Sequence, residues 1–150
     1  MSIRAKYEKE LSEVFDKLIA MCHSVETAIE KSVRALKTRD DDLAREVMDG
    51  DKNVDHAERE IEQDCLKILL MEHPVAGDFR DVSAALKMIT DLERIADQAA
   101  DISEISLQFG KEEFIKEPEH IEMMAKIVSG MVKDGVTSYI DRNLVLAEGL

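Results

Sequence analysis

The sequence is poor in the residues that build sheets, tight turns and disulfide frameworks. Its 150 residues include two prolines, six glycines, two tyrosines, four phenylalanines and no tryptophan. Aliphatic side chains must therefore fill the interior, which favours helices over strands. The only two cysteines, Cys22 and Cys65, each stand at helical spacing among aliphatic residues. They are predicted to be buried thiols and not a disulfide.

The sequence also lacks an excess of bases and any long apolar run. It has 33 acidic and 20 basic residues and a net charge of −13, which argues against a nucleic-acid partner because the phosphate backbone would be repelled. The longest apolar segment, CLKILLM at residues 65–71, is too short to cross a bilayer, and the first residues contain no apolar signal core. A cytoplasmic protein is expected.

Hydrophobic periodicity predicts three long helices in the first two thirds of the chain. Aliphatic residues recur at a spacing of three and four from residue 3 to residue 36 without proline or glycine. The acids of residues 38–42 are expected to cap a second helix over residues 43–71. Pro74 ends it, and Asp78 is expected to cap a third helix that runs to residue 109. The predicted fold is therefore all-α, an antiparallel three-helix bundle.

The rest of the chain resembles a second copy of the first helix and of the turn that follows it. Residues 110–118 are expected to form a linker, followed by a fourth helix over residues 119–140. A gap-free alignment that places Met124 on Met21 also places Arg142 on Arg39. Apolar positions keep their helical phase in it, with Val128 on Val25 and Val136 on Val33. The prediction is a first three-helix repeat over residues 1–109 and an incomplete second repeat over residues 119–150.

An incomplete second repeat has a consequence for assembly. The 150 residues are then either a fragment of a longer chain or a half-protein that a partner subunit completes. The apolar side of the fourth helix would lack two neighbouring helices, and it is expected to drive homo-oligomerisation, most simply to a homodimer. That side is formed by Ile121, Met124, Val128, Met131 and Val132.

The second helix carries acids on the face that becomes apolar further along. On a helical wheel, Asp51, Asp55, Glu58 and Glu62 lie within about 60° of one another, in the same sector as Cys65. Carboxylates on a buried face need a cation, a hydrogen bond or an open groove. The alternative is a solvated helix face, because acids four residues apart are common by chance in so acidic a chain.

The third helix carries a second pair of acids beside its apolar side. Glu93 and Asp97 in the segment DLERIAD flank Ala96 and Ala100, whose small side chains would allow close approach of another helix. Clustered carboxylate oxygens suit hard cations. The acids on these faces of the second and third helices are therefore candidates for a metal site.

Other metal and catalytic sites fit the sequence less well. Residues 49–60 imitate a calcium-binding loop, but Val54 occupies the position where that loop needs glycine. A di-iron carboxylate enzyme needs two Glu-x-x-His motifs, and only residues 117–120 have this spacing. A carboxylate-bundle metal enzyme or cation store is accordingly the second interpretation. No nucleophile motif or phosphate-binding glycine loop is present, so no enzyme is predicted. The histidines His23, His56 and His73 are interpreted as non-ligands.

Four segments together resemble the PhoU family of phosphate-transport regulators. They are DKNVD and AEREIE on the second helix, HPVAGDFR at the turn and LKMITDLERIAD on the third helix. With the pattern of the first helix, the resemblance covers about residues 5–105. It implies two pseudo-symmetric three-helix bundles whose acidic motifs hold metal clusters. The family's second pair of motifs is absent from these 150 residues.

The resemblance also implies a function. Proteins of this family are cytoplasmic negative regulators of phosphate uptake and phosphate-starvation signalling. They act as adaptors between the ATPase of the phosphate ABC transporter and its sensor histidine kinase, so the resemblance implies contact with the membrane only indirectly, through the transporter. By motif, the metal role carries over to Asp51, Asp55, Glu93 and Asp97. The metal implied is iron, zinc, manganese or magnesium.

Overall fold

The computed structural model describes residues 2–71 and 74–150 and contains five helices. They are α1 (Ile3–Thr38), α2 (Asp41–Met71), α3 (Ala76–Phe109), α4 (Ile121–Ile140) and α5 (Leu144–Glu148). Within the described residues the structure has no strand, so the all-α prediction is confirmed. In the same part of the chain, no helix combines the length and the apolar character needed to cross a membrane. His73, interpreted as a non-ligand, lies outside the described residues.

A tight turn joins α1 to α2 and makes them antiparallel. Arg39 adopts a left-handed conformation with φ of 55°, and the Asp40 amide donates to the Ala35 carbonyl at 3.0 Å. The Asp40 carboxylate then accepts a hydrogen bond from the Leu43 amide at 3.0 Å. This bond satisfies one of the free amides at the start of α2. The predicted capping role of the acids in residues 38–42 therefore belongs to Asp40.

The core lies between α1, α2 and α3, each of which contributes one aliphatic side. Burial of these sides drives the three helices together, since apolar area removed from water is worth about 25 cal/mol per Å². Cys22 and Cys65 are buried free thiols, as predicted, and burial raises the pKa of Cys65 to about 11. The central core residues are Val14, Leu18, Met21, Val25, Ile61, Ile68, Val82, Ile89 and Leu92.

The start of α3 differs from the prediction. The helix begins at Ala76 after Val75, which provides no side-chain cap, so the predicted capping role of Asp78 is wrong. Asp78 lies in the first turn and is buried, and the Arg4 guanidinium donates to its two carboxylate oxygens at 2.9 and 2.7 Å. A buried carboxylate gains more from a charged guanidinium than from a backbone amide. Asp78 therefore links the start of α3 to the start of α1 through an ion pair.

Helix α4 packs along the outside of α1. Val132 is buried there, and its carbonyl lies 3.9 Å from the Cys22 sulfur. The prediction that Val132 belongs to an uncovered side of α4 is wrong, because α1 covers it. Tyr139 packs edge-on against Phe15 at 5.5 Å between ring centroids. The opposite side of α4 is exposed and apolar, and it consists of Met123, Met124, Ile127, Val128 and Met131.

The turn after α4 repeats the geometry of the turn after α1. Arg142 adopts φ of 52°, the Asn143 amide donates to the Ser138 carbonyl at 2.8 Å, and the Asn143 side chain caps the Leu146 amide at 3.0 Å. The equivalent residues at the first turn are Arg39 and Asp40, as the sequence alignment has them. This likeness supports our division of the chain into residues 1–109, 110–118 and 119–150, which remains a proposal.

Candidate metal centre

The antiparallel packing of α2 and α3 brings three carboxylates together. One oxygen each from Asp51, Asp55 and Asp97 lies within 4.8 Å of the other two. Asp51 and Asp55 are one helical turn apart on α2, so they share a face, and Asp97 faces them from α3. Ala96 is buried beside them, and its small side chain lets the helices approach closely. Three of the four predicted ligands therefore meet at one place.

Glu93, the fourth predicted ligand, adjoins this group through Asp97. Asp97 lies one helical turn further along α3, and hydrogen bonding between the two carboxyl groups favours a proton on Glu93. Burial raises the pKa of Glu93 to about 7, and the hydrogen bond and charge of Asp97 act in the same direction. Glu93 is therefore partly protonated near neutrality, and a bound cation would displace this proton.

The acid cluster includes one residue beyond the four predicted ligands, Glu58. Burial raises the pKa of Glu58, and the charges of Asp55 and Glu62 add to this effect. The charge of Glu58 also acts on Glu93, so Glu58 extends the cluster toward the C-terminal half of α2. Its signal was present in the helical wheel, which placed Glu58 in the sector of Asp51 and Asp55. The four ligands implied by the family motif do not include Glu58.

Asp51 provides the observation that best fits a bound cation at this cluster. Its Oδ1 atom is buried and has no hydrogen-bond partner. Burial raises the pKa of Asp51, as do the charges of Asp97 and Asp55. An unpaired buried carboxylate oxygen is costly, whereas hard cations prefer such oxygens as ligands. The donor set of Asp51, Asp55 and Asp97 therefore fits a hard cation, with Glu93 available as a further ligand.

An open groove gives access to this cluster. It has a volume of about 700 Å³ between α1 and α2, and Asp51 lines it. The groove is open because small residues face each other across it, among them Ser24, Ala28 and Gly50. A hydrated cation is small compared with this volume, so it can reach Asp51 from solvent.

The competing metal sites do not form in the described structure. Residues 49–60 lie inside the continuous helix α2 and cannot adopt the geometry of a calcium-binding loop. His56 is exposed, with Nε2 at 3.8 Å from a Glu60 oxygen, and His23 is exposed with Nδ1 at 3.9 Å from Glu26. Neither histidine contributes an atom to the group of Asp51, Asp55 and Asp97.

Comparison with known proteins identifies the family. Residues 18–106 match the family described as "PhoU domain". The chain belongs to the PhoU family. It is similar to the "Phosphate-specific transport system accessory protein PhoU homolog" of Aquifex aeolicus, with 36% identity over 95% of this chain and 65% of that protein. The Clostridium acetobutylicum protein of the same name is 31% identical over 94% of this chain and 65% of its own length.

Solved PhoU structures have the same fold. The crystal structure of PhoU from Pseudomonas aeruginosa matches with a TM-score of 0.90 and 28% identity, and the match covers 95% of this chain and 69% of that chain. The Streptococcus pneumoniae protein matches with a TM-score of 0.86 and 23% identity over 95% of this chain and 67% of its own, which shows the fold alone. The chain thus spans about two thirds of the length of these PhoU proteins.

The pKa of Glu93 predicts how the stability of the metal-free PhoU-family chain depends on pH. A carboxyl whose folded-state pKa is raised stabilises the fold below its ordinary pKa of 4.5, and this contribution is lost as pH rises through about 7. In EDTA, the melting temperature should fall between about pH 5 and about pH 8. Glu93→Gln, which cannot ionise, should flatten this slope in thermal denaturation followed by circular dichroism.

Asp91→Asn is the matched control for this slope. Asp91 is an exposed acid on the same helix, outside the cluster, so its replacement should leave the pH dependence of the wild type. Equal slopes for Glu93→Gln and Asp91→Asn would show that the proton on Glu93 does not contribute to stability.

Proposed function

We propose that this chain is a cytoplasmic negative regulator of phosphate uptake and of phosphate-starvation signalling. The observation that carries this proposal is the PhoU domain match over residues 18–106. The relatives are named accessory proteins of a phosphate-specific transport system, and the first two are matched along at least 94% of this chain. The role is regulatory and not enzymatic.

The proposed partners are the ATPase of the phosphate transporter and its sensor histidine kinase. An adaptor of this kind communicates phosphate status by contact, so it needs surfaces and not a reaction centre. The bundle offers such surfaces, since apolar side chains of α4 remain exposed on its outer side. Apolar patches of this sort mark protein contacts.

We further propose that the acid cluster holds a cation that stabilises the arrangement of α2 and α3. Asp51, Asp55 and Asp97 would bind it directly, with Glu93 as a fourth ligand. Iron, manganese and magnesium match these oxygen donors, and zinc also accepts carboxylates. The cation would supply positive charge against the mutual repulsion of the acids. Its role in this proposal is structural.

The regulatory role is tested by deleting the gene in its own host and restoring it from a plasmid. Cells without the gene should import more labelled phosphate in phosphate-rich medium and should express phosphate-starvation genes there. The restored wild-type gene should reverse both effects. Unchanged import and unchanged expression in the deletion strain would overturn the regulatory function, whatever metal the purified protein binds.

The exposed side of α4 predicts self-association, with a homodimer as the simplest product. Met123, Met124 and Ile127 are all more than half exposed on one side of the helix, and their burial would be favourable. Light scattering at tens of micromolar should give a mass above that of one chain. Met124→Glu with Ile127→Glu should restore the monomer mass, whereas Ile115→Glu in the linker should not. A monomer mass for the wild type would contradict the proposed dimer.

A further inference from the structure

The outer face of α2 carries a row of bases with no acid among them. On a helical wheel, the side chains opposite the core fall within an arc of about 80°. Acids are frequent along α2, yet none lies in this arc from Arg45 to Leu70. All of its side chains are exposed except Met48, which is half-buried. We name these residues the α2 seam: Arg45, Met48, Lys52, His56, Arg59, Gln63, Leu66 and Leu70.

Two bases of the α2 seam have no acidic partner in the described part of the chain. Lys52 and Arg59 lie two helical turns apart, are exposed, and form no ion pair with any described residue. Arg45 contacts only the fully exposed Asp42, at 3.6 Å. An exposed pair of this kind holds its charges weakly. The positive charge of the α2 seam is therefore available to a partner.

The corresponding outer face of α3 has a different arrangement of charge. Lys87 and Arg94 have the same spacing as Lys52 and Arg59 and are also exposed. The exposed acid Asp91 lies between them in the same sector, 3.9 Å from Arg94. Charges on α3 thus alternate in sign and offset one another. A row of bases without acids is therefore a local feature of α2, in a chain whose net charge is −13.

Acids border the basic part of the α2 seam on both sides. Asp49 and Glu60 lie about 20° and 40° beyond one edge of the arc, and Asp55 and Glu62 lie equally far beyond the other. A broad anionic surface, such as a nucleic acid or an anionic bilayer, would meet these acids within the Debye length of about 8 Å. An α-helix is only about 10 Å across. The charge pattern therefore fits a narrow, rod-like partner.

We propose that the α2 seam docks an acidic amphipathic helix of a partner protein. The proposal rests on the adaptor role proposed above only for the identity of that partner. Successive members of the α2 seam are three or four residues apart, so a helix lying alongside α2 contacts all of them. The contact would be roughly 38 Å long, since it extends from Arg45 to Leu70.

The chemistry of the α2 seam specifies the side chains of this helix. Acids along its centre would face the bases, and bases along its edges would face the acids that border the α2 seam. Apolar side chains at one end would cover Leu66 and Leu70, which are 45% and 76% exposed. The α2 seam of a second copy does not fit this description, because it has no acid to offer.

The proposal is tested with synthetic helical peptides of about 26 residues, the length of the α2 seam. Hydrocarbon staples keep them helical, because short isolated helices are marginally stable. The acid-centred peptide has Glu along the centre, Lys along both edges and a pair of Leu at one end. It is made with the Leu pair at either end, so that both chain directions are tested. The base-centred peptide exchanges Glu and Lys. Equal numbers of Glu and Lys leave every peptide without net charge.

Binding is measured by fluorescence anisotropy in EDTA. One of the acid-centred peptides should bind the wild type at least about tenfold more tightly than the base-centred peptide, and added salt should weaken this binding. Lys52→Gln with Arg59→Gln should weaken it at least about fivefold. Lys87→Gln with Arg94→Gln makes the same change at the same spacing on α3 and should have no effect. Circular dichroism verifies the fold of each variant.

The apolar end of the α2 seam has a separate variant. Leu66→Gln with Leu70→Gln should weaken binding of the acid-centred peptide about tenfold, because it removes apolar contact area. Both side chains are exposed, so the substitutions leave the core intact. Unchanged binding by this variant would overturn the assignment of Leu66 and Leu70 to the docking surface.

Four further results would overturn the proposal. They are absence of binding by the acid-centred peptides, equal binding of the acid-centred and base-centred peptides, equal losses in the α2 and α3 double variants, and equally tight binding of polyglutamate. The last result would assign the α2 seam to a polyanion without a pattern. None of these outcomes changes the effect of gene deletion on phosphate import, so the docking surface and the regulatory function fail separately.

Discussion

Replacing Leu18 with alanine should lower the free energy of unfolding by about 3 kcal/mol. Leu18 is fully buried on α1, at the centre of the core between α1, α2 and α3. The substitution removes apolar contacts and leaves a cavity that rigid helices close only in part. The melting temperature should fall by about 6 to 12 °C for a chain of this size, measured by circular dichroism.

Ile19→Ala is the matched control, because Ile19 is the next residue on the same helix and is half exposed. It should cost less than about 1 kcal/mol, as surface substitutions usually do. Similar losses of stability at Leu18 and Ile19 would show that the side of α1 containing Leu18 does not face the core.

The sequence was sufficient to predict the helices, because their signals are local. The spacing of Leu18, Val25 and Val33 is a property of one helix, and so is the capping role of Asp40. The internal alignment also carried structural information, since Arg39 and Arg142 have the same left-handed conformation. A residue in this conformation commonly ends a helix.

The errors arose where the deciding contact joins distant parts of the chain. Asp78 has the sequence signature of a helix cap, but its partner is Arg4, 74 residues earlier. Val132 has the spacing of an exposed apolar side, yet periodicity shows only that a side is apolar and not which helix covers it. Glu58 was in the correct sector of α2, but its effect on Glu93 depends on the register between α2 and α3. Register is set by tertiary packing, which local patterns do not report.

Addition of a divalent or trivalent hard cation to the metal-free protein should raise its melting temperature. A ligand that binds only the folded state contributes about 2.7 kcal/mol at a concentration 100 times its dissociation constant, or about 5 to 11 °C for a chain of this size. The shift should grow with the logarithm of cation concentration. Magnesium, manganese, zinc and iron are compared by thermal denaturation after treatment with EDTA.

Glu93→Gln combined with Asp97→Asn should abolish this shift. Asp51 and Asp55 supply carboxylates from one helix only, and two such groups give few oxygens for a six-coordinate cation. Asp97 is the α3 member of the group whose oxygens lie within 4.8 Å. Without cation, the double variant should be as stable as the wild type or more stable, because it removes charge from a site where acids repel one another.

A second double variant separates a metal site from general electrostatics. Asp91→Asn with Glu104→Gln removes the same charge from exposed positions of α3. A cation that only screens the acidic surface would stabilise both double variants to a similar, reduced extent, since screening depends on net charge and not on position. A cation held by Asp51, Asp55 and Asp97 would stabilise the Asp91 and Glu104 variant as strongly as the wild type. If the Glu93 and Asp97 variant keeps the full shift, these carboxylates form a solvated flank of α3 and the assigned ligands are wrong.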